Sequence, residues 1–275
     1  PECDVLIAFR KPELLDEIDD PAVKSILWMW GQPKILNQPV NQKLLEKHDP
    51  ALVFVGESHR QAWKSWRDFK EAVIVPGIAD SYIDAETSKV PPPVAVVTTH
   101  PLHGLQNMLR LWQENIYPKN DKAELHIYSA SLFNGAVNDR FEDITAEVAG
   151  ARAANVSVKS PDSDSEMAAA YRSARVHFYP VIGSEFYGST LAESQASGTP
   201  AVIYVGGGKT DVIKELISNG QTGYLVPDDD AFVNLALKLL AEDTTIYQSL
   251  SRDAKTLQAG RNWQSAAIEF EALWK

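Results

Sequence analysis

Short apolar runs rich in β-branched residues alternate with helical stretches along the 275-residue chain, and this alternation constrains the fold most. Parallel strands need a crossover between them, so strands alternating with helices predict βαβ units and parallel sheets. Strands are predicted at 4–9, 24–30, 51–55, 72–75, 94–99, 124–128, 154–157, 175–180, 200–205 and 222–226. Helices are predicted at 39–48, 57–69, 103–115, 164–174, 188–197, 209–219, 229–241, 243–258 and 262–274. The sequence therefore predicts an α/β fold with doubly wound parallel sheets.

A run of three prolines indicates where the chain divides. Residues 91–93 form a stiff, extended spacer directly before the strand that starts at Val94. We expect a partial first domain over 1–92, a second Rossmann-like domain over 93–261 and a closing helix over 262–275. The first part has no obvious opening glycine loop and starts almost at a strand, so we expect that sequence is missing upstream.

Composition excludes several classes of protein. The chain is 44% apolar and 23% charged, as soluble globular proteins usually are. A net charge of −11 disfavours nucleic acid as the main partner. The single cysteine, Cys3, excludes an internal disulfide and favours a cytoplasmic setting. No apolar run reaches the roughly 18 residues of a membrane span, and no secretory signal peptide is visible.

Residues 185–200 carry the strongest functional signal. Gly188 allows a backbone turn to approach a ligand closely, and residues 189–191 then open a helix whose free amides suit a phosphate. Glu185 and Glu193 flank that turn and can recognise hydroxyl groups at either end of a diphosphate ligand. The upstream strand end supports a ligand site, because open α/β sheets bind ligands there. An amphipathic helix with two surface glutamates is the alternative.

Two other strand-to-helix turns are candidate phosphate sites. His100 and His103 follow the strand 94–99, and either ring can donate a hydrogen bond to a phosphate. Gly206-Gly-Gly-Lys-Thr210 frees the backbone to wrap a ligand and adds the charge of Lys209, although its spacing is not that of a P-loop. For both turns, a loop without ligand contact is the alternative.

Aromatic residues and one further histidine are ambiguous. Trp28 and Trp30 lie at a predicted strand end, where they can stack on a sugar ring or, more commonly, belong to the core. His59 starts a predicted helix and is expected to be structural or solvated. No group of histidine, cysteine and acidic residues has metal-ligand spacing, so no metal is expected.

Taken in order, these landmarks resemble the retaining GT-B glycosyltransferases of family 4. Glu185 and Glu193 match the family's two glutamates separated by seven residues. Gly104-Leu105 resembles its Gly-Leu turn, and Ala123–Tyr128 and Gln221–Pro227 resemble two further conserved segments. The resemblance runs through most of the chain, and the spaced glutamates are its most specific part.

The resemblance implies two Rossmann-like domains, the first truncated, and a nucleoside-diphosphate-sugar donor, commonly UDP- or GDP-linked, without a metal. Glu193 would bind the ribose hydroxyls, Glu185 the donor sugar, and residues 159–161 would lie near the nucleobase. Glu185 is thus the candidate catalytic residue. The candidate donor-binding residues are Glu193, Gly188, Ser189, Thr190, Leu191, His100, His103, Gly104, Lys209 and Ser160. The acceptor, whether glycan, lipid or small molecule, is not identified by the sequence.

The sequence departs from the family pattern in three places. His100 and His103 stand where the family has a basic pair, and Trp30 stands where a histidine usually ends the strand. The opening part of the first domain is absent. A non-catalytic nucleotide- or sugar-binding module, or a degenerate partner subunit, is therefore the alternative function, and a sugar-nucleotide epimerase is a third. Peripheral membrane association, or a second chain that supplies the missing region, also stays open.

Overall fold

The computed structural model describes residues 3–84, 89–135, 141–161, 163–181, 186–205 and 211–275. Its strands form two parallel sheets, one of four strands in the order β1-β2-β3-β4 and one of six in the order β10-β9-β8-β5-β6-β7. The strands are β1 (Val5–Phe9), β2 (Lys24–Met29), β3 (Ala51–Phe54), β4 (Glu71–Val73), β5 (Val94–Val97), β6 (Glu124–Tyr128), β7 (Val156–Lys159), β8 (Val176–Pro180), β9 (Ala201–Tyr204) and β10 (Gly223–Val226).

Helices connect the strands, as parallel pairing requires. They are α1 (Pro39–His48), α2 (Glu57–Gln61), α3 (Asp80–Ile83), α4 (Leu105–Leu111), α5 (Ala130–Phe133), α6 (Glu142–Ala151), α7 (Asp164–Arg172), α8 (Ser189–Ala196), α9 (Asp211–Leu216), α10 (Asp229–Leu240), α11 (Thr245–Gln258) and α12 (Trp263–Trp274). Short 3-10 helices occupy Pro12–Glu17, Pro33–Asn37, Tyr117–Lys119 and Arg152–Ala154, and α4 continues into a π-helical turn at Trp112–Ile116.

The four-stranded sheet is covered on both faces. Leu27, Leu52 and Phe54 face a core beneath α1 and the first two 3-10 helices. On the opposite face, Ile26 and Val53 pack against Ala266 and Phe270 of α12. The last helix of the chain therefore packs against the first sheet.

The order in which the chain adds strands to the six-stranded sheet reverses between two neighbouring strands. The chain runs outward from β5 through β6 to β7, then returns to β8 on the other side of β5 and continues through β9 to β10. All four residues of β5 and all five of β8 are buried, as expected of strands covered on both faces. The pair β5 and β8 is thus the topological switch point of this sheet.

Most predicted elements are present, and the helix predicted at 57–69 is the clearest error. The observed α2 ends at Gln61. Beyond it, the Ser65 hydroxyl hydrogen-bonds the backbone of Arg67, which offers the chain an alternative to helical pairing. The Trp63 indole also donates to Asn37 Oδ1 at 2.8 Å, which anchors the segment to the core.

Three helices were not predicted, namely α3, α5 and α6. The longest of them is α6, at Glu142–Ala151, where no element was expected. Its buried residues are only Ile144, Val148 and Ala151. They have helical spacing, but three small or medium apolar residues give a weak periodic signal.

No helix in the described part of the chain is long and apolar enough to span a membrane.

Candidate functional site

The switch point of the six-stranded sheet opens a crevice at the carboxyl ends of its strands. β5 and β8 pair with each other, Val96 opposite His177. Residues 98–104 lead from β5 into α4, and residues 186–188 lead into α8. Because the strand order reverses between β5 and β8, these two segments lie on either side of the position where ligands of open α/β sheets bind, here called the crevice, and are its two walls.

The start of α8 forms one wall. Gly188 is the residue before its first turn, and a side-chain Cβ there would come within 3.0 Å of the Tyr179 hydroxyl. A larger residue here would require the Tyr179 hydroxyl to shift, so the absence of a side chain at Gly188 also serves packing within the protein, a reason the sequence did not reveal. Its φ of −103° is an ordinary value.

The three predicted amides are not equally available. The Leu191 amide donates to the Gly188 carbonyl at 3.1 Å, so this amide is not free, contrary to the prediction. The cause is a tight first turn, closed by a bond to the third preceding residue. Within the described residues, the amides of Ser189 and Thr190 have no hydrogen-bond partner, as the first amides of a helix usually lack one inside it.

Glu193 lies in the second turn of α8 and is half-buried. Among the described residues, its carboxylate has neither a hydrogen bond nor an ion pair. Burial raises the pKa of this carboxyl to about 7, and the negative charge of Asp164 adds to the shift. A partly desolvated carboxylate without a protein partner is well suited to accept hydrogen bonds from a ligand's hydroxyl groups.

Three tyrosines surround Glu193. Burial raises the pKa of Tyr82, Tyr171 and Tyr187, and the nearby Glu193 charge raises each further. The Tyr82 hydroxyl is bonded elsewhere, to Asp164 Oδ1 at 3.2 Å. The sequence analysis missed this tyrosine group; only the fold brings the three together, since they come from α3, α7 and the segment before α8.

The β5–α4 connection forms the other wall. His100 and His103 are both exposed, with ring centroids 5.0 Å apart, and the His103 amide donates to the His100 carbonyl at 2.7 Å. Gly104 precedes α4 with φ of 90°, in the left-handed region that favours glycine. No lysine or arginine occurs between Thr98 and Leu109 or between Phe186 and Gly198.

Ser160 follows β7 at the far edge of the same sheet end and is half-buried. The neighbouring Lys159 ammonium contacts His126 Nδ1 at 3.1 Å, and His126 Nε2 lies 2.8 Å from Glu124 Oε2. β5 and β6 separate β8 from β7, so Ser160 lies on the His100 side of the crevice.

Two predicted site residues, Glu185 and Lys209, lie outside the described residues. Their roles stay predictions from the sequence.

Across the crevice, on the four-stranded sheet, both ring nitrogens of His59 are hydrogen-bonded. The buried indole Nε1 atoms of Trp28 and Trp30 have no hydrogen-bond partner among the described residues. His59 is fully buried; its Nε2 bonds the Gly31 carbonyl at 2.8 Å and its Nδ1 accepts from the Val55 amide at 3.2 Å. Burial lowers its pKa, which keeps the ring neutral with the proton on Nε2. The structural role expected for His59 is what the geometry supports.

Aromatic rings connect the first sheet to the segment before α8. Trp30 packs edge-on against Tyr187 at 5.5 Å, and His59 packs against Phe186 at 5.3 Å. The Tyr187 hydroxyl donates to the Pro76 carbonyl at 3.2 Å. The first sheet thus supports the chain that leads into Gly188.

Within the described residues, no group of three or more histidine, cysteine or acidic side chains could hold a metal ion.

A match to a protein family decides what kind of protein this is. The family model described as "Glycosyl transferases group 1" matches residues 94–242, more than half of the chain. The chain belongs to the group 1 glycosyltransferases. The resemblance inferred from the spaced glutamates is thereby confirmed at the level of the family.

Curated relatives match part of this chain. The phosphatidyl-myo-inositol mannosyltransferase of Mycobacterium leprae is 34% identical over 114 residues, which cover 41% of this chain and 29% of the relative. The protein of the same name from Mycolicibacterium smegmatis is 36% identical over 90 residues, covering 33% and 22%. The matched segment thus spans less than a third of each curated relative.

Solved structures establish the fold. HepE of Anabaena, solved in complex with UDP and glucose, superposes with a TM-score of 0.75 at 14% identity and covers 98% of this chain and 77% of that one. Sucrose-phosphate synthase from Thermosynechococcus elongatus gives 0.71 at 14% identity, covering 98% and 73%. The predicted GT-B fold, with two parallel Rossmann-like sheets, is confirmed.

Proposed function

We propose that this chain binds a nucleoside-diphosphate sugar in the crevice between the β5–α4 and β8–α8 connections and transfers the sugar to an acceptor with retention of configuration. The single observation that carries this proposal is the Glu193 carboxylate, half-buried beside a helix start and without a partner among the described residues. Burying a carboxylate without a partner costs free energy, which hydrogen bonds from a ligand's hydroxyl groups would offset.

The proposed ligand contacts come first from the α8 wall of the crevice and then from the opposite wall. Glu193 accepts hydrogen bonds from the ribose hydroxyls, and the amides of Ser189 and Thr190 bind the diphosphate. His100 and His103 face the diphosphate from the opposite wall, and Ser160 lies toward the nucleobase. Lys209 adds positive charge, and Glu185 contacts the donor sugar.

In the proposed reaction, the bond between the anomeric carbon and the diphosphate breaks as the acceptor oxygen bonds to that carbon on the same face. The acceptor proton passes to the leaving diphosphate, which departs with the nucleoside. No metal is part of the proposal.

Two observations narrow the donor and acceptor. HepE is solved with UDP and glucose, and the curated relatives are named as mannosyltransferases acting on phosphatidyl-myo-inositol. UDP-glucose and a nucleotide-linked mannose are therefore the first donors to test, and an inositol lipid is the first acceptor.

The test uses the purified chain with UDP- and GDP-sugars, with and without acceptor. We expect release of nucleoside diphosphate and, by NMR, a product with the donor's anomeric configuration. Glu193→Ala should weaken nucleotide binding, whereas Glu185→Ala should bind normally and turn over slowly. Each variant controls for the other. An inverted product, or identical behaviour of both variants and the wild type, would contradict the proposal.

The alternative of a non-catalytic binding module is favoured by one observation. Neither wall carries a lysine or arginine, because the first cation after β5 is Arg110, which is paired with Asp229. Fewer fixed cations stabilise a leaving diphosphate less. Tight binding of UDP or GDP without release from any sugar nucleotide would support this alternative.

A further inference from the structure

A histidine lies in the middle of the apolar strand β8. His177 is fully buried, and every residue of β8 is buried with it. The rings of Tyr171 and Tyr179 pack against its imidazole at 5.5 and 5.4 Å. A buried imidazole is costly unless both nitrogens are hydrogen-bonded, and here both are.

The donor and acceptor roles in the hydrogen bonds of His177 can be assigned consistently. The Ser194 hydroxyl donates to the Leu191 carbonyl at 3.0 Å, so its oxygen is the acceptor for His177 Nδ1, 2.9 Å away. His177 Nδ1 therefore carries the proton. Nε2 is then an acceptor, and the Thr98 hydroxyl donates to it at 2.9 Å.

This chain of bonds joins the two walls of the crevice. Thr98 is the first residue of the β5–α4 connection, which carries His100 and His103. Ser194 is adjacent to Glu193 on α8, and Leu191 lies in the first turn of that helix. His177 lies between them on β8, directly beneath the switch point.

The link has no charge. Burial lowers the pKa of His177 to about 3, so the imidazole is neutral throughout the range in which proteins of this kind work. A neutral imidazole carries one proton, and the bond to Ser194 places it on Nδ1.

We propose that His177 is a positioning residue that fixes the β5–α4 connection and the start of α8 at the separation needed to bind the diphosphate of a nucleoside-diphosphate ligand. This inference rests on the proposed function. His177 does not touch the ligand; it acts through Thr98 and Ser194. A site that contacts its ligand from both walls requires such precise placement, because small displacements of the binding groups lower affinity.

Three substitutions separate the two bonds. His177→Asn places an amide near the position of Nδ1 and can keep the bond to Ser194. His177→Gln reaches the position of Nε2 and can keep the bond to Thr98. His177→Phe loses both. We expect UDP or GDP affinity, measured by calorimetry on the full chain, to fall about threefold for the amide variants and about tenfold for His177→Phe.

The matched control is Thr199→Val. Thr199 is fully buried, and its hydroxyl donates to the Tyr171 carbonyl at 2.6 Å, behind the far end of α8. Loss of the Thr199 hydroxyl should lower the melting temperature as much as a substitution of His177 does, while leaving nucleotide affinity unchanged. Should His177→Phe fail to fold, Thr98→Val and Ser194→Ala test the same link from its two ends.

The outcomes are distinguishable. If the wild type binds neither UDP nor GDP, the proposed function fails and the inference fails with it. If the wild type binds, yet His177→Phe or both end variants bind within about twofold of it, the proposed function stands and the inference alone is overturned. An affinity loss shared by Thr199→Val would also overturn it, because general loosening would then explain the effect.

Discussion

The two sheet ends that face the crevice differ in how they hold their buried ionisable side chain. On the four-stranded sheet, His59 uses both ring nitrogens within the protein. On the six-stranded sheet, the Glu193 carboxylate and the first amides of α8 have no partner among the described residues. The ionisable side chain of one end is fully bonded within the protein, whereas that of the other has no partner among the described residues. The indole Nε1 atoms of Trp28 and Trp30 on the first sheet also lack a partner. A half-buried carboxylate without a partner is nevertheless the better guide to a site, because a carboxylate costs more to bury than an indole N–H.

The largest expected effect concerns Trp30, on the four-stranded sheet. Its ring packs against Phe9 at 5.6 Å, Trp28 at 5.5 Å and Tyr187. Trp30→Ala removes these contacts, and we expect the free energy of unfolding to fall by about 3 kcal/mol in a denaturant titration. Nucleotide affinity should stay within about threefold of the wild type.

Trp30→Phe is the control, because it keeps most of the ring packing and should cost less. A large loss of nucleotide affinity in both variants, without loss of stability, would place Trp30 in the binding site and break the comparison.

The next effect comes from the unpaired carboxyl. The pKa of Glu193 is about 7 in the folded chain against an ordinary value of 4.5, so the unfolded chain ionises first as the pH rises. The folded state therefore loses stability between these two values. Glu193→Gln cannot ionise, and relative to the wild type it should gain about 3 kcal/mol of unfolding free energy between about pH 4 and about pH 8.

Parallel pH dependence of the two proteins in urea titrations would mean that Glu193 is ionised at its ordinary pKa. In that case it would be no more desolvated than a surface carboxylate.

The smallest expected effect concerns the hydrogen-bonded contact between α9 and the start of α2. The exposed Glu215 carboxylate accepts a hydrogen bond from the Glu57 amide at 2.9 Å and another from the Ser58 amide, at the start of α2. Because the Glu215 carboxylate is exposed, Glu215→Gln should lower the free energy of unfolding, measured in a denaturant titration, by less than about 1 kcal/mol. A larger loss of unfolding free energy would mean that the two sheets stabilise each other more than their separate hydrophobic cores indicate.

The sequence predicted the alternation of strands and helices because buried parallel strands and amphipathic helices have distinct periodicities. The strand bounds shifted by up to two residues, as at β7, predicted at 154–157 and observed at Val156–Lys159. The helix at 57–69 was wrong because the Ser65 turn and the anchored Trp63 are properties of the packed chain rather than of local propensity.

The candidate site was predicted in its parts rather than its arrangement. The helix start at Gly188 and the position of Glu193 on it follow from local sequence. The tyrosines around Glu193 and the supporting position of Tyr187 depend on distant elements meeting. The bond of the Leu191 amide is local, but it depends on how tightly the first turn of α8 closes, which the residue types do not determine. A histidine inside the apolar run of β8 was a visible signal for His177 that the sequence analysis did not use.

The most direct test of the central claim is a calorimetric titration of UDP and GDP into the wild type, Glu193→Gln and Glu142→Gln. Glu142 is an exposed glutamate in the first turn of α6 and serves as the matched control. The account predicts binding of at least one nucleotide by the wild type and by Glu142→Gln, and about thirtyfold weaker binding by Glu193→Gln. Equal affinities for all three proteins would contradict it.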